Sequence, residues 1–148
     1  SKEHLKNKTH QAIIVNSGNA NCANGKTGDR DALTMAKSTA EALALAKKEV
    51  LVASTGIIGK RLPIEKISGN ISALIGNLSG KGGDSFSGAI LTTDTRKKEA
   101  AVKIKICNSA VTIGGACKGA GMIYPSLKSE RHPSVFNANI HDPEGRQN

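Results

Sequence analysis

Residues 114–125 read Gly-Gly-Ala-Cys-Lys-Gly-Ala-Gly-Met-Ile-Tyr-Pro, and four glycines around one lysine, following directly on an apolar strand pattern, constrain this chain most. A glycine lacks a Cβ, so the backbone there can take positive φ and come close to another group. A lone lysine in such a loop suits an oxyanion or a carboxylate, and equally a tight turn with a solvated lysine. Two earlier loops rich in Gly, Thr and Asn, each ending an apolar strand pattern, favour the first reading.

The 148 residues suffice for one domain with a real core. Aromatic residues make up 2%, so that core has to be built of Ile, Leu, Val and Ala. The formal charge of +9 invites a nucleic-acid reading, but the lysines are spread along the chain and bases would find almost no ring to stack on. We therefore expect no nucleic-acid partner, and a basic field around a pocket for an anionic metabolite. Cys22, Cys107 and Cys117 form no CxxC or Cys/His cluster, which argues for a reducing compartment and against a disulfide framework or zinc. No metal or cofactor is called for. No apolar run approaches ~18 residues and no signal-like segment opens the chain, so we expect a cytoplasmic protein, organellar in a eukaryote, with no membrane partner.

In chain order, residues 11–15 read as a short buried strand that runs into Asn16-Ser17-Gly18-Asn19-Ala20-Asn21. Such side chains bond their own backbone, so this loop should be ordered. A helix is expected over 29–48, with Asp29 and Asp31 at its positive end, Lys47 and Lys48 at its negative end, and a stripe of alanines for close packing. Residues 49–54 give a second buried strand ending at Ser54-Thr55-Gly56-Ile57-Ile58-Gly59-Lys60. A phosphate-binding P-loop fails there on spacing, because Lys60 is followed by Arg61. The Thr55 hydroxyl and the Gly56 N–H remain a possible donor pair of the oxyanion-hole kind.

Ile64, Ile67, Ile71, Leu74, Ile75 and Leu78 recur at steps of three and four behind Pro63, which predicts a core helix. Residues 79–87 read as a flexible link and 88–91 as a third apolar strand ending at Thr92-Thr93-Asp94-Thr95. Arg96, Lys97, Lys98 and Glu99 read as solvated. Residues 101–107 alternate as a half-exposed strand, and Asn108-Ser109 is a plausible turn into a partner strand over 110–113 that delivers the glycine loop. Residues 1–127 form the expected domain, and 128–148 a polar, disordered tail.

Four segments then combine: Ile14-Val15-Asn16-Ser17-Gly18-Asn19-Ala20-Asn21, Val52-Ala53-Ser54-Thr55-Gly56-Ile57-Ile58-Gly59, Thr92-Thr93-Asp94-Thr95, and Gly114-Gly115 with Lys118-Gly119-Ala120-Gly121-Met122-Ile123-Tyr124-Pro125. In this order they resemble the ornithine acetyltransferase family, the bifunctional glutamate N-acetyltransferases of arginine biosynthesis. The resemblance implies an α/β fold, a mixed sheet with packed helices, of which this chain would be an incomplete α-chain core. It also implies self-cleavage into α and β chains before a threonine nucleophile, α2β2 assembly, and acetyl transfer from N-acetylornithine to glutamate. By motif, Thr55 and Gly56 would form the oxyanion hole, while Thr95 and Lys118 would contact substrate.

The chain departs from the family after Pro125: the family has an Ala-Thr pair within a few residues, opening the β chain, and this sequence has Ser126-Leu127-Lys128-Ser129. The position eleven residues past Lys118 is Ser129, which would then be the catalytic hydroxyl. The expectation is an α chain or fragment needing a β chain. The alternative is a non-catalytic domain that binds a small anionic or amino-acid ligand through Lys118.

Overall fold

A computed structural model describes residues 1–119. Its elements are β1 (Ala12–Asn16), α1 (Gly25–Ala42), β2 (Val50–Ser54), α2 (Ile64–Gly76), α3 (Gly83–Ala89), β3 (Lys98–Ile106) and β4 (Ser109–Cys117), with 3₁₀ turns at His4–Lys6 and Lys47–Glu49. The α/β class stands. Parallel and antiparallel pairing are both present, each in its own two-stranded sheet among the described residues.

β1 and β2 pair in parallel, from Ala12 opposite Val50 to Asn16 opposite Ser54, and α1 makes the crossover between them. One face of this pair is covered by α1 and α2, which buries Ile14, Met35, Ala36, Ala40, Val50, Leu62, Ile64 and Ile71 together. The small side chains of Ala36 and Ala40 let α1 come close, as the alanine stripe implied.

α1 starts and stops earlier than its sequence pattern suggests. It opens at Gly25, so Asp29 falls in its second turn, and Asp31 is buried. It closes at Ala42 although Leu-Ala-Leu-Ala continues the apolar run. The cause is a Schellman-type ending: Ala44 takes φ of 54°, its N–H donates to Glu41 O, and the Leu45 N–H donates to Ala40 O at 2.8 Å. Leu45 is thereby turned back onto the core. Lys47 and Lys48 lie beyond, in a 3₁₀ turn.

α2 follows its periodicity, with Pro63 as the residue that caps it and Ile64, Ile67, Ile71 and Ile75 toward the core. Leu74, inside the helix, is 56% exposed, and Leu78 falls past its end and is 70% exposed. Residues 79–91 differ from expectation. The link over 79–87 and the strand over 88–91 are replaced by α3, with the Phe86 N–H donating to Gly82 O and the Ile90 N–H to Phe86 O. Ser87 and Ile90, three apart, are the buried positions, which is a helical spacing.

β3 and β4 form an antiparallel hairpin from Lys98 opposite Cys117 to Ile106 opposite Ser109. The two-residue turn is therefore Cys107-Asn108, one position earlier than expected, with φ of 45° and 68°. Two positive φ values suit the twist of tight hairpins. Gly114 to Cys117, read as loop, are paired strand residues. The Ser129 position, and the boundary after residue 127, lie outside the described residues.

Candidate active site

The pocket is built where β1 and β2 run out. Their parallel pairing continues past the strands: the Thr55 N–H donates to Asn16 O at 3.0 Å, the Ile57 N–H to Gly18 O at 3.3 Å, and the Ala20 N–H to Ile57 O at 2.9 Å. The asparagines hold the first loop as their composition implied. Asn16 Nδ2 donates to Asn19 O at 2.8 Å, Asn19 Nδ2 to Arg61 O at 3.0 Å, and Asn21 Nδ2 to Gly28 O at 2.7 Å. Gly56 is where the loops touch. It has φ of 126°, and a Cβ on it would sit 2.3 Å from the Gly18 carbonyl carbon. Only glycine fits such an approach.

Lys118, directly after β4, reaches across to this loop. Its Nζ donates to Thr55 Oγ1 at 2.9 Å and to Thr92 Oγ1 at 2.7 Å. An ammonium has three donors, so one N–H remains for an anion. Because Thr55 Oγ1 accepts from lysine, its own proton is left to donate elsewhere. Among the described residues no hydrogen bond engages the Gly56 N–H. These groups line an open cavity of about 760 Å³ that also takes in Ser17, Gly18, Cys22, Ile57, Ile58 and Thr93. A second cavity of about 630 Å³ lies between α3 and the hairpin, lined in part by Lys81, Asp84, Phe86 and Glu99. It brings none of the motif residues 55, 56, 92 or 118 together, so the Lys118 cavity is the candidate site.

Thr55, Gly56 and Lys118 are thus together as expected. Thr95 is exposed and does not line the cavity; Thr92 and Thr93 of the same motif do. Asp94 and Lys98 are the residues that sequence reasoning passed over. Asp94 has a fully buried side chain, and its Oδ1 accepts from Lys98 Nζ and from the Gly119 N–H, both at 2.7 Å. Lys98, read as solvated, is half-buried and also donates to Gly119 O at 3.0 Å. The Lys98 hydrogen bond, then the Gly119 N–H, hold the Asp94 carboxyl below its ordinary range, at about 2. The i,i+4 spacing of Asp94 and Lys98 was the available signal.

Among the described residues no group of three or more His, Cys, Asp or Glu is arranged to hold a metal, and no helix is long and apolar enough to cross a membrane.

Fold and site define an α/β protein whose strand-end loops converge on a lysine and a Thr-Gly pair. Residues 1–131 match the ArgJ family model, and the chain belongs to that family. The arginine biosynthesis bifunctional protein ArgJ of Dehalococcoides mccartyi (strain CBDB1) is 51% identical over 127 residues, 86% of this chain and 31% of the relative. That of Oceanobacillus iheyensis is 44% identical over 140 residues, 95% of this chain and 34% of the relative. The chain therefore spans about a third of the length of these relatives.

Two solved structures are also similar. The arginine biosynthesis bifunctional protein argJ of Bacillus halodurans has a TM-score of 0.75 at 40% identity, covering 84% of this chain and 65% of that one. The ornithine acetyltransferase of Mycobacterium tuberculosis, complexed with ornithine, has a TM-score of 0.79 at 36% identity, covering 86% and 68%. The family read from the four motifs is the family found.

Proposed function

We propose that this chain supplies the oxyanion-stabilising and substrate-holding part of an acetyltransferase that moves acetyl from N-acetylornithine to glutamate in arginine biosynthesis, in the cytoplasm or an organelle. The observation that carries this reading is the 2.9 Å bond from Lys118 Nζ to Thr55 Oγ1, beside the open Gly56 N–H. Acyl transfer builds negative charge on the former carbonyl oxygen, and two fixed donors aimed at that oxygen stabilise the transition state. A cation donating into the Thr55 oxygen polarises the hydroxyl and makes its proton a better donor. The third Lys118 N–H is then free for a substrate carboxylate, in a cavity that Thr92 and Thr93 line in place of Thr95. The names of the relatives and the ornithine bound to the M. tuberculosis enzyme support this substrate class.

The nucleophile is a hydroxyl eleven residues past Lys118, Ser129 in this chain, or the threonine that opens a β chain in an α2β2 assembly. An N-terminal amine serves there as base for its own hydroxyl. The test uses the protein that joins this chain to the family's nucleophile-bearing segment. Thr55→Ala should lower kcat for acetyl transfer by about 10²- to 10³-fold, the effect of removing one oxyanion donor. Absence of both acetyl transfer and N-acetylornithine binding in the parent protein would overturn the reading.

The serine at 129 favours one second reading, a ligand-binding domain without chemistry. Intact mass after incubation with N-acetylornithine separates the two. A break between Lys128 and Ser129, or an acetyl adduct on Ser129, supports the enzyme. An unmodified chain that still binds ligand through Lys118 supports the binding domain.

A further inference from the structure

Lys118 is followed by Gly119, which has φ of 145° and no Cβ to restrict rotation. Lys118 is the first residue past the last ladder pair, Cys117 with Lys98, so its backbone is fixed on both sides only if the peptide that follows is also held. Asp94, between α3 and β3, and Lys98, the first residue of β3, hold it. Asp94 Oδ1 takes the Gly119 N–H at 2.7 Å, Lys98 Nζ gives to Gly119 O at 3.0 Å, and the two side chains bond each other at 2.7 Å. Both polar groups of residue 119 are thus held by one ion pair. Two residues before Asp94, Thr92 receives the Lys118 ammonium itself. Among the described residues apolar packing does not perform this task, since Val102, Ile104, Ile106 and Ile113 of the hairpin are all exposed.

We propose that Asp94 and Lys98 are positioning residues of the acyl-transfer site, fixing the peptide after Lys118 so that its ammonium stays aimed at Thr55. This rests on the reading of Thr55 and Gly56 as oxyanion donors. Their bond to the oxyanion forms fully only in the transition state, so a misaimed Lys118 lowers kcat more than it raises KM.

The test uses the protein that joins this chain to the nucleophile-bearing segment, with two readouts. Asp94→Asn should lower kcat by about tenfold while KM stays within about twofold, well inside the 10²-fold that a 1 Å misplacement can cost. It should also raise the rate at which Lys118 is labelled by reductive methylation, read by peptide mass spectrometry. Lys98→Met, which keeps the bond from the Gly119 N–H to Asp94, should shift both readouts in the same direction, and Asp94→Glu should recover part of kcat. Lys97→Met removes the neighbouring exposed ion pair to Asp84 and should leave both unchanged. Wild-type kcat and wild-type Lys118 labelling in Asp94→Asn and Lys98→Met would overturn the proposal, as would a matching loss in Lys97→Met. If the parent shows neither acetyl transfer nor N-acetylornithine binding, the proposed function fails, and the Lys118 labelling rate still decides whether the clamp exists.

Discussion

Behind the β1–β2 side of the pocket, Met35, Ala36, Val50 and Leu62 are at most 1% exposed, and the loops that carry Thr55 and Gly56 are hydrogen-bonded edge to edge. Among the described residues, the β3–β4 side has no such packing behind it. Val102, Ile106 and Ile113 are 51–55% exposed, and Lys118 is held in place by ion-paired and hydroxyl groups from residues 92–98. The two sides meet at the bond from Lys118 to Thr55. A site assembled this way should respond to damage in two manners: loss of stability from the packed side, and loss of aim from the polar side.

The largest expected effect is on the packed side, at Gly56. Gly56→Ala places a Cβ 2.3 Å from Gly18 backbone carbon at a φ of 126°. Backbone strain of about 1–3 kcal/mol adds to an overlap that the loop relieves only by moving. We expect a loss of about 3 kcal/mol or more in denaturant melts. Gly18→Ala is the control, since its φ of 94° is strained but nothing lies within 4 Å of an added Cβ. If both variants lost the same amount, strain alone would account for Gly56 and the close approach of the two loops would count for little.

The packed side was the legible one. Continuous apolar runs at 12–15 and 50–53 announce the strands but overstate their burial, since only one face is covered and Ile13 is 64% exposed; the Ile64, Ile67, Ile71 spacing announces a core helix. The motif of small residues marked Thr55, Gly56 and Lys118. α3 escaped because a four-residue apolar run after several glycines fits a strand or a helix end equally, and burial of Ser87 decides which. Asp94 and Lys98 escaped for another reason. Their partner at Gly119 lies more than twenty residues away, and local pattern carries no record of such a bond. The alternation of β3 gave its conformation correctly, but whether its apolar face is covered depends on what packs against it.

On the polar side, acidity offers a graded probe. The Asp94 carboxyl is held at about 2 when folded, against an ordinary 3.8, so its stabilisation is complete from about pH 5 upward. As pH falls below that the folded form has to take up a proton against its hydrogen bonds, and the contribution is lost progressively toward about pH 1. The pH-dependent part of the difference in melting temperature between wild type and Asp94→Asn should therefore be largest above about pH 5, shrink most steeply between about pH 4 and 2, and close near about pH 1. A difference that stays constant across this range would mean the Asp94 charge plays no part in holding Gly119.

The smallest expected effect is on the exposed hairpin. Ile104 is 38% exposed on the same face as Val102 and Ile106. Substitution of such a surface residue usually changes stability by no more than about 0.5 kcal/mol. Ile104→Thr keeps the β-branch, so strand propensity is preserved and the experiment reads burial alone. A melt unchanged within that margin keeps the contrast between the two sides. A loss above about 1.5 kcal/mol is what removing a buried isoleucine entails, and it would mean that the face is covered in solution. The hairpin would then be held by packing as well as by its ion pair, and the clamp at Asp94 would share its task.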